Sequence, residues 1–374
     1  MNILIAPNAF KGTIKADLAA KIIKNGLLAV DSNLDIQTSP IADGGDGTCF
    51  LLANELGWEP RECTALDAIG RPKAGVFYLN KSQNKAMLDV STVSGLDGLK
   101  PFQVDANLSS TYGTGELIVE AIKEGVNEVI LGLGGSATVD MGTGILRALG
   151  FLFLDQNGRE ISMFGHGFIS RIAHIQRPAK RQPIRFTCLC DVDNTFFGPK
   201  GAIPVFGPQK GIAPDDISAF EDSAKSLFQL LQKKSKGVLM DREGFGAAGG
   251  IALGLSAFFP VEIKSGAQYF FDQVKMVEKV KAADWIITGE GRFDSQSAGG
   301  KGSYELLQLV KSMGKKCLII TSGEKDEAIE SGFDEVVLLP ELDSNQHNYE
   351  DKAIESLKKS MQEFSWGTLF ETKK

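Results

Sequence analysis

Two kinds of apolar segment alternate along the chain: short runs typical of buried strands, and longer stretches with helical spacing. The run over 1–7 predicts a strand, and apolar positions over 15–29 recur at the spacing of an amphipathic helix. A second strand is predicted over 36–41 and a second helix over 49–56. This strand–loop–helix order is typical of a parallel α/β sheet.

The pattern changes after about residue 62. Short extended runs over 74–79 and 85–90, separated by polar residues, predict antiparallel strands rather than strand–helix units. We therefore expect a second domain to be inserted into the first from this point.

Strand–helix alternation returns near Lys281. Strands are predicted there over 284–288, 316–321 and 335–339. The return suggests that the C-terminal part rejoins the N-terminal part in one parallel sheet. We predict one domain over 1–61 plus 281–374 and an inserted α/β domain over 62–280.

A glycine-rich stretch over 132–144, GLGGSATVDMGTG, lies between a predicted strand and a helical pattern over 145–149. That order places backbone N–H groups at a helix N-terminus, where an anion is favoured. The stretch lacks the Lys-Ser/Thr of a Walker loop and the glycine spacing of a dinucleotide fingerprint. The residues alone leave two interpretations, a phosphate-binding turn and a tight connection.

Charged residues follow several other predicted strands in similar loops. Asp43 and Asp46 lie in ADGGDGT, where carboxylates could hold Mg²⁺ or act as turn and helix-cap residues. Lys11, in NAFKGT, could neutralise an anion or lie in solvent. Asp191 and Asn194 follow another strand, where catalytic side chains often lie in open α/β sheets, or they cap a polar turn.

Composition restricts the classes of partner. The net charge of −7, with no basic stripe, argues against nucleic acid. An anionic small molecule would need local cations, and Arg292 and Lys301 supply them in a loop that also carries Glu290 and Asp294. The cysteines and histidines show no zinc-site spacing, and no apolar run could span a membrane or form a signal peptide. We expect a cytoplasmic protein with no membrane partner.

Six blocks, in this order, resemble the bacterial (type I) glycerate kinase family, whose members phosphorylate D-glycerate with ATP. The blocks are APNAFKGT, IADGGDGT, the long stretch from GTGELIV to ILRALG, CDVDNTFFGPKGA, FGPQKG and TGEGRFDSQSAGGK. The chain departs from the family pattern at Val139 and Met141, where Asn and Gly are more usual.

The resemblance implies a fold and a reaction. The fold is a Rossmann-like or flavodoxin-like parallel-sheet domain built from both chain ends, with an inserted mixed α/β domain and the active site in the cleft between them. The reaction is Mg²⁺-assisted phosphoryl transfer from ATP to D-glycerate, giving 2-phosphoglycerate or 3-phosphoglycerate. A monomer or homodimer is expected.

Resemblance, charge type and loop position together suggest roles for individual residues. The expected catalytic residues are Asp191, as the base, with Lys11 and Asp294. The expected substrate-binding residues are Arg292, Lys301, Asn194 and Glu290. The expected phosphate-binding turn is Gly134, Gly135 and Ser136, and the expected metal ligands are Asp43 and Asp46.

Two alternative functions remain open at this point. One is a kinase for another small hydroxy acid or sugar acid, because the ATP machinery constrains the loops more than the acceptor does. The other is a non-catalytic sensor that binds a sugar acid and does not turn over ATP.

Overall fold

A computed structural model describes residues 1–10, 12–180, 182–293, 302–342 and 348–366. The strands within these ranges are β1 (Asn2–Ile5), β2 (Asp35–Thr38), β3 (Glu59–Leu66), β4 (Pro72–Asn80), β5 (Lys85–Asp89), β6 (Glu128–Gly132), β7 (Leu152–Leu154), β8 (His174–Gln176), β9 (Arg185–Cys190), β10 (Val261–Ser265), β11 (Trp285–Gly289), β12 (Lys316–Thr321) and β13 (Glu335–Leu338). The helices are α1 (Ala16–Val30), α2 (Thr48–Leu56), α3 (Ser91–Ser94), α4 (Tyr112–Lys123), α5 (Thr143–Ala148), α6 (Phe168–Arg171), α7 (Ala202–Phe206), α8 (Ile217–Lys234), α9 (Ile251–Ser256), α10 (Gly266–Gln273), α11 (Met276–Ala282), α12 (Gly302–Ser312), α13 (Lys325–Ser331) and α14 (Tyr349–Glu363).

The chain divides into two compact units. Met1–Asp43 and Ala267–Lys374 form the first, and Gly44–Gly266 forms the second. Both chain ends therefore build one unit and the other is inserted, which confirms the predicted two-domain α/β fold. The domain bounds predicted from the sequence, 61/62 and 280/281, stay a prediction.

The first unit is built on a parallel five-stranded sheet in the order β13-β12-β11-β1-β2. Its core includes branched aliphatic strand residues, the buried face of α14 and the apolar face of α1, on which Ala19, Ile23 and Leu27 are fully buried. The helical spacing predicted this face, since residues three and four apart share one side of a helix.

The inserted unit contains a six-stranded mixed sheet in the order β10-β9-β6-β5-β4-β3. The β3–β4 and β4–β5 pairs are antiparallel, as the short extended runs predicted, whereas β5, β6, β9 and β10 run parallel. In the register, Asp89 pairs with Gly132 and Gly132 with Leu189. The loops that follow β5, β6 and β9 therefore leave the sheet at one edge.

The sequence predicts a helix over 116–124 after a glycine loop, SSTYGTG, over 109–115. The structure differs, because α4 starts at Tyr112 and includes Gly113 and Gly115. A Cβ on Gly113 would overlap the carbonyl oxygen of Leu66, and one on Gly115 would lie 2.5 Å from the Cβ of Ala148. These glycines allow close packing against β3 and α5, so here they serve a helix instead of a turn.

The described ranges contain no helix with the length and apolar character needed to cross a membrane.

Candidate active site

The turn after β6 consists of Gly134, Gly135 and Ser136 and is called the glycine turn below. The N–H groups of these three residues donate to no acceptor among the described residues. The turn is held from one side, because Leu96 N–H donates to Gly135 O at 2.9 Å and Ala137 N–H to Ser94 O at 2.9 Å. Adjacent N–H groups left without acceptors are suited to an anion.

The predicted acidic loop lies against the glycine turn. A Cβ on Gly134 would overlap the backbone of Gly45 and Asp46, so the two loops are in direct contact. A Cβ on Gly135 would lie 3.3 Å from Cγ of Asp46, and Ser91 Oγ donates a hydrogen bond to that carboxylate. The structure therefore brings Asp46 next to the glycine turn.

The third predicted loop approaches the same edge. Leu133 N–H donates to Leu189 O at 3.0 Å, and Gly44 packs so closely on Cys190 that an added Cβ would lie 2.9 Å from its carbonyl carbon. Asp191 follows β9 at this point and is half-buried. Asn194 uses its side-chain N–H₂ within its own loop, donating to Lys200 O at 2.6 Å.

The N-terminus of α5 differs from the expectation of an anion site. Asp140 is buried there; its Oδ1 accepts from Gly142 N–H at 2.9 Å, and its Oδ2 accepts from Gly144 N–H at 3.2 Å and from the N–H and O–H of Thr111 at 2.9 and 2.8 Å. Burial raises the pKa of Asp140, and these donors oppose the rise. The protein's own carboxylate thus occupies the helix end, whereas no described residue accepts from the N–H groups of the glycine turn.

In the first unit, Asp43 and Glu290 lie at the carboxyl edge of the parallel sheet. Asp43 is buried, and its Oδ2 accepts from the Asn8 side chain at 2.8 Å. Asn8 N–H donates to Gly289 O at 2.8 Å, which joins the ends of β1 and β11. Glu290 is the next residue and is buried. A Cβ on Gly302, at the start of α12, would lie 3.5 Å from Cβ of Asp43.

Of the three cationic residues predicted for this site, the structure describes Arg292. Arg292 is exposed, with its NH1 3.7 Å from Glu341 Oε1, and exposed pairs of this kind stabilise little. Lys11, Asp294 and Lys301 lie outside the described residues. Their proposed roles stay predictions.

A buried lysine next to the glycine turn was not assigned a role from the sequence. The Nζ of Lys210 donates to Ser136 Oγ at 2.7 Å and to Thr138 O at 3.0 Å. Burial lowers the pKa of Lys210 to about 7, partly opposed by the charge of Asp140. Its loop, FGPQKG, was visible in the sequence, but the burial of the side chain was not.

A buried carboxylate at the end of β5 was also missed. Asp89 accepts the N–H groups of Cys49 at 3.0 Å and Phe50 at 3.1 Å, at the start of α2. Burial raises the pKa of Asp89 to about 7, and the nearby charge of Asp46 adds to the rise. An acidic residue ending a buried strand was the available signal.

The described residues contain no cluster of three or more His, Cys, Asp and Glu side chains suited to a metal ion. Mg²⁺ often uses only one or two protein carboxylates and completes its shell with water and substrate phosphates. The exposed carboxylate of Asp46, beside the glycine turn, fits that kind of site. The assignment of Asp43 and Asp46 as metal ligands stays a prediction.

The chain is similar to known glycerate kinases over most of its length. The model of the glycerate kinase family matches residues 3–365. A glycerate kinase of Bacillus subtilis (strain 168) is 35% identical over 83% of this chain and 82% of its own length. A glycerate 2-kinase of Escherichia coli (strain K12) is 30% identical over 87% of this chain and 86% of its own length.

A solved structure shares the fold. The crystal structure of a protein assigned as glycerate kinase 2 from Salmonella typhimurium LT2 is 29% identical and superposes with a TM-score of 0.80, covering 97% of this chain and 96% of that one. The family match spans nearly the whole chain, including the glycine turn and the loops packed against it. The chain therefore belongs to the glycerate kinase family.

Proposed function

We propose that this protein transfers the γ-phosphoryl group of ATP to D-glycerate and that the product is 2-phosphoglycerate. Family membership supports the donor and the acceptor, and the E. coli relative named glycerate 2-kinase supports the 2-position. The observation that carries the proposal is the glycine turn, whose three N–H groups lie beside the Asp46 carboxylate and meet no acceptor from a described residue.

The glycine turn would hold the phosphates of the nucleotide. Phosphoryl transfer depends on positioning and on neutralising charge around the transferred group, and backbone N–H groups fixed before the reaction do both. The three N–H groups of Gly134, Gly135 and Ser136 would donate to phosphate oxygens. The backbone of the 44–48 loop fills the space that a Cβ on Gly134 would need. Because glycine has no side chain, the two loops can stay in direct contact.

A divalent cation would be held by Asp46, with Asp43 as the second predicted ligand. The chemistry that Mg²⁺ would supply there is neutralisation of negative charge on the phosphate groups of ATP. Asp46 keeps its carboxylate oriented through the hydrogen bond from Ser91.

Asp191 is the proposed general base. It follows β9 at the edge of the sheet where the glycine turn follows β6, and it would accept the proton of the glycerate hydroxyl. Lys11, Arg292 and Lys301 are the proposed partners of the glycerate carboxylate and the transferred phosphate. Asp294, Glu290 and Asn194 would orient them or the substrate.

The test is ADP production from Mg·ATP with a panel of acceptors: D-glycerate, L-glycerate, glycolate, lactate and several sugar acids. We expect turnover with D-glycerate to exceed that with every other acceptor and to require Mg²⁺. Faster turnover with another acid would favour a different hydroxy-acid kinase. Tight D-glycerate binding with no ADP release would favour the sensor.

An Asp191→Asn variant tests the base. Loss of a positioned base typically costs about a hundredfold to ten-thousandfold in rate. A variant within a few-fold of wild-type kcat would remove Asp191 from this role. Asp193→Asn, which changes an exposed carboxylate two residues away, is the matched control and should retain wild-type turnover.

A further inference from the structure

Lys210 has an unusual position for a lysine, because its side chain is almost completely buried, at 4% exposure. Lysine is rarely buried without partners that compensate for the loss of water. Both of its hydrogen-bond acceptors, Ser136 Oγ and Thr138 O, belong to the loop that begins with the glycine turn. They lie more than seventy residues from Lys210 in sequence, so only the fold brings them together.

The bonds from Lys210 complete the support of the glycine turn. On one side, the backbone of 135–137 is bridged to 94–96. On the other side, Lys210 holds the Ser136 hydroxyl and the Thr138 carbonyl. The turn is therefore held from two directions, while the N–H groups of Gly134, Gly135 and Ser136 have no acceptor in the part of the chain that the structure describes.

The segment that carries Lys210 is itself fixed. Lys210 N–H donates to Gly207 O at 2.9 Å, and Gly211, at φ +88°, packs so tightly that a side chain would overlap the carbonyl oxygen of Val104. This rigid support suits a residue that has to hold a second loop in place.

We propose that Lys210 is a positioning residue that keeps the glycine turn in the shape that binds the phosphates of ATP, acting through Ser136 and Thr138. The inference rests on the proposed function, since it names a determinant of nucleotide binding at that same site. Lys210 acts on the nucleotide through the loop and through its charge, without touching the acceptor.

The charge of Lys210 gives the proposal a pH signature. Burial lowers the pKa of Lys210 to about 7, and Asp140 is the charged group whose field acts on it. A bound phosphate favours the protonated ammonium, so ATP affinity should fall as the pH rises above about 7. Burial raises the pKa of Asp140, opposed by its four donors, and the Lys210→Met variant, which keeps Asp140, separates the effects of the two groups.

The experiment compares Lys210→Met with Lys200→Met, which replaces an exposed lysine ten residues earlier. ATP affinity is measured by calorimetry without acceptor, and KM for ATP and for D-glycerate by turnover, each from about pH 6.5 to 9. Loss of a charge-assisted bond predicts a rise in Kd and KM for ATP of about tenfold or more in Lys210→Met. KM for D-glycerate should stay within about twofold, the pH trend should disappear, and Lys200→Met should match wild type.

A folded Lys210→Met protein with wild-type ATP affinity across this pH range would overturn the proposal. If Lys210→Met does not fold, Ser136→Ala provides the test, because it removes the bond and keeps the ammonium. It should weaken ATP binding and keep the pH trend that the ammonium causes, and wild-type ATP affinity would equally overturn the proposal.

The two proposals can fail separately. Wild-type protein that binds ATP but does not phosphorylate D-glycerate would refute the proposed function and leave the ATP-affinity comparison in force. Wild-type protein that binds no ATP would refute both.

Discussion

Asp140 shows at the scale of single residues how a buried carboxylate can organise a loop. It accepts four hydrogen bonds, from the backbone of Thr111, Gly142 and Gly144 and from the Thr111 hydroxyl. Removing this acceptor would leave buried N–H and O–H donors with neither water nor a protein acceptor.

We predict that Asp140→Ala lowers the free energy of unfolding by about 3 kcal/mol or more. The matched control is Asp155→Ala, because Asp155 is only half-buried and also accepts N–H bonds, from Asn157 and Arg159. Water can replace that acceptor, so its loss should cost much less than the loss of Asp140. Urea unfolding of both variants measures the difference, and equal losses would contradict the role given to Asp140.

The burial of Lys210 should also make the free energy of unfolding depend on pH. Its pKa is about 7 in the folded protein against 10.5 for an ordinary lysine, so between these values the unfolded chain binds one more proton. The free energy of unfolding should therefore rise with pH across this window, and the cost of burying the charge should be fully present below pH 7.

The Lys210→Met variant should lose this rise, because it has no group to titrate. Urea unfolding of wild type and variant at several pH values from neutral to about 10 checks it. A rise of the same size in both proteins would show that other groups cause it.

Individual residues differed in how far they could be predicted. Asp46 and the glycine turn could be selected as candidates because each lies in a loop after a predicted strand, and their roles stay predictions. Lys210 was not, because its role depends on Ser136, and no local pattern relates two residues so far apart in sequence. The assignment of α5 to an anion failed because Asp140, inside the quoted stretch, occupies that helix end.

At the scale of elements, the glycine turn after β6 is in direct contact with the 44–48 loop. Gly134 lies against the backbone of Gly45 and Asp46. Backbone atoms cannot move aside as the end of a flexible side chain can, so there is no space for an added methyl group. A substitution there must separate the loops or distort the glycine turn.

We predict that Gly134→Ala weakens ATP binding by about tenfold or more, since a small misplacement of preorganised groups has large effects. Gly237→Ala is the control, because Gly237 is exposed and an added Cβ would meet no atom within 4 Å. Calorimetric titration with ATP measures both. Wild-type affinity in Gly134→Ala would contradict the assignment of the turn.

Elements were predicted well where one periodicity dominated, as in α1, β4 and β5. The start of α4 was misplaced because glycines that favour turns in isolation also permit close packing, and the tertiary contact of Gly113 with Leu66 decided the outcome. The register that aligns Asp89, Gly132 and Leu189 was not predictable, since it depends on pairing between distant strands.

At the scale of the whole molecule, each unit has its own apolar core, one beneath the five-stranded sheet and one around the six-stranded sheet. The change in hydrophobic period along the chain predicted this division, because antiparallel and strand–helix patterns differ over many residues at once. In both units, the predicted acidic residues described here follow the carboxyl ends of parallel strands. That arrangement is typical of ligand sites in open α/β sheets.

The most direct test of the central claim is ³¹P NMR of the product formed from Mg·ATP and D-glycerate by the wild-type protein. We predict one new phosphomonoester signal, coupled to the single proton on C2 as in 2-phosphoglycerate, that grows as the γ-phosphate signal of ATP declines. A product coupled to the two C3 protons would contradict the regiochemistry. No phosphomonoester, with ATP unchanged, would contradict the kinase activity itself.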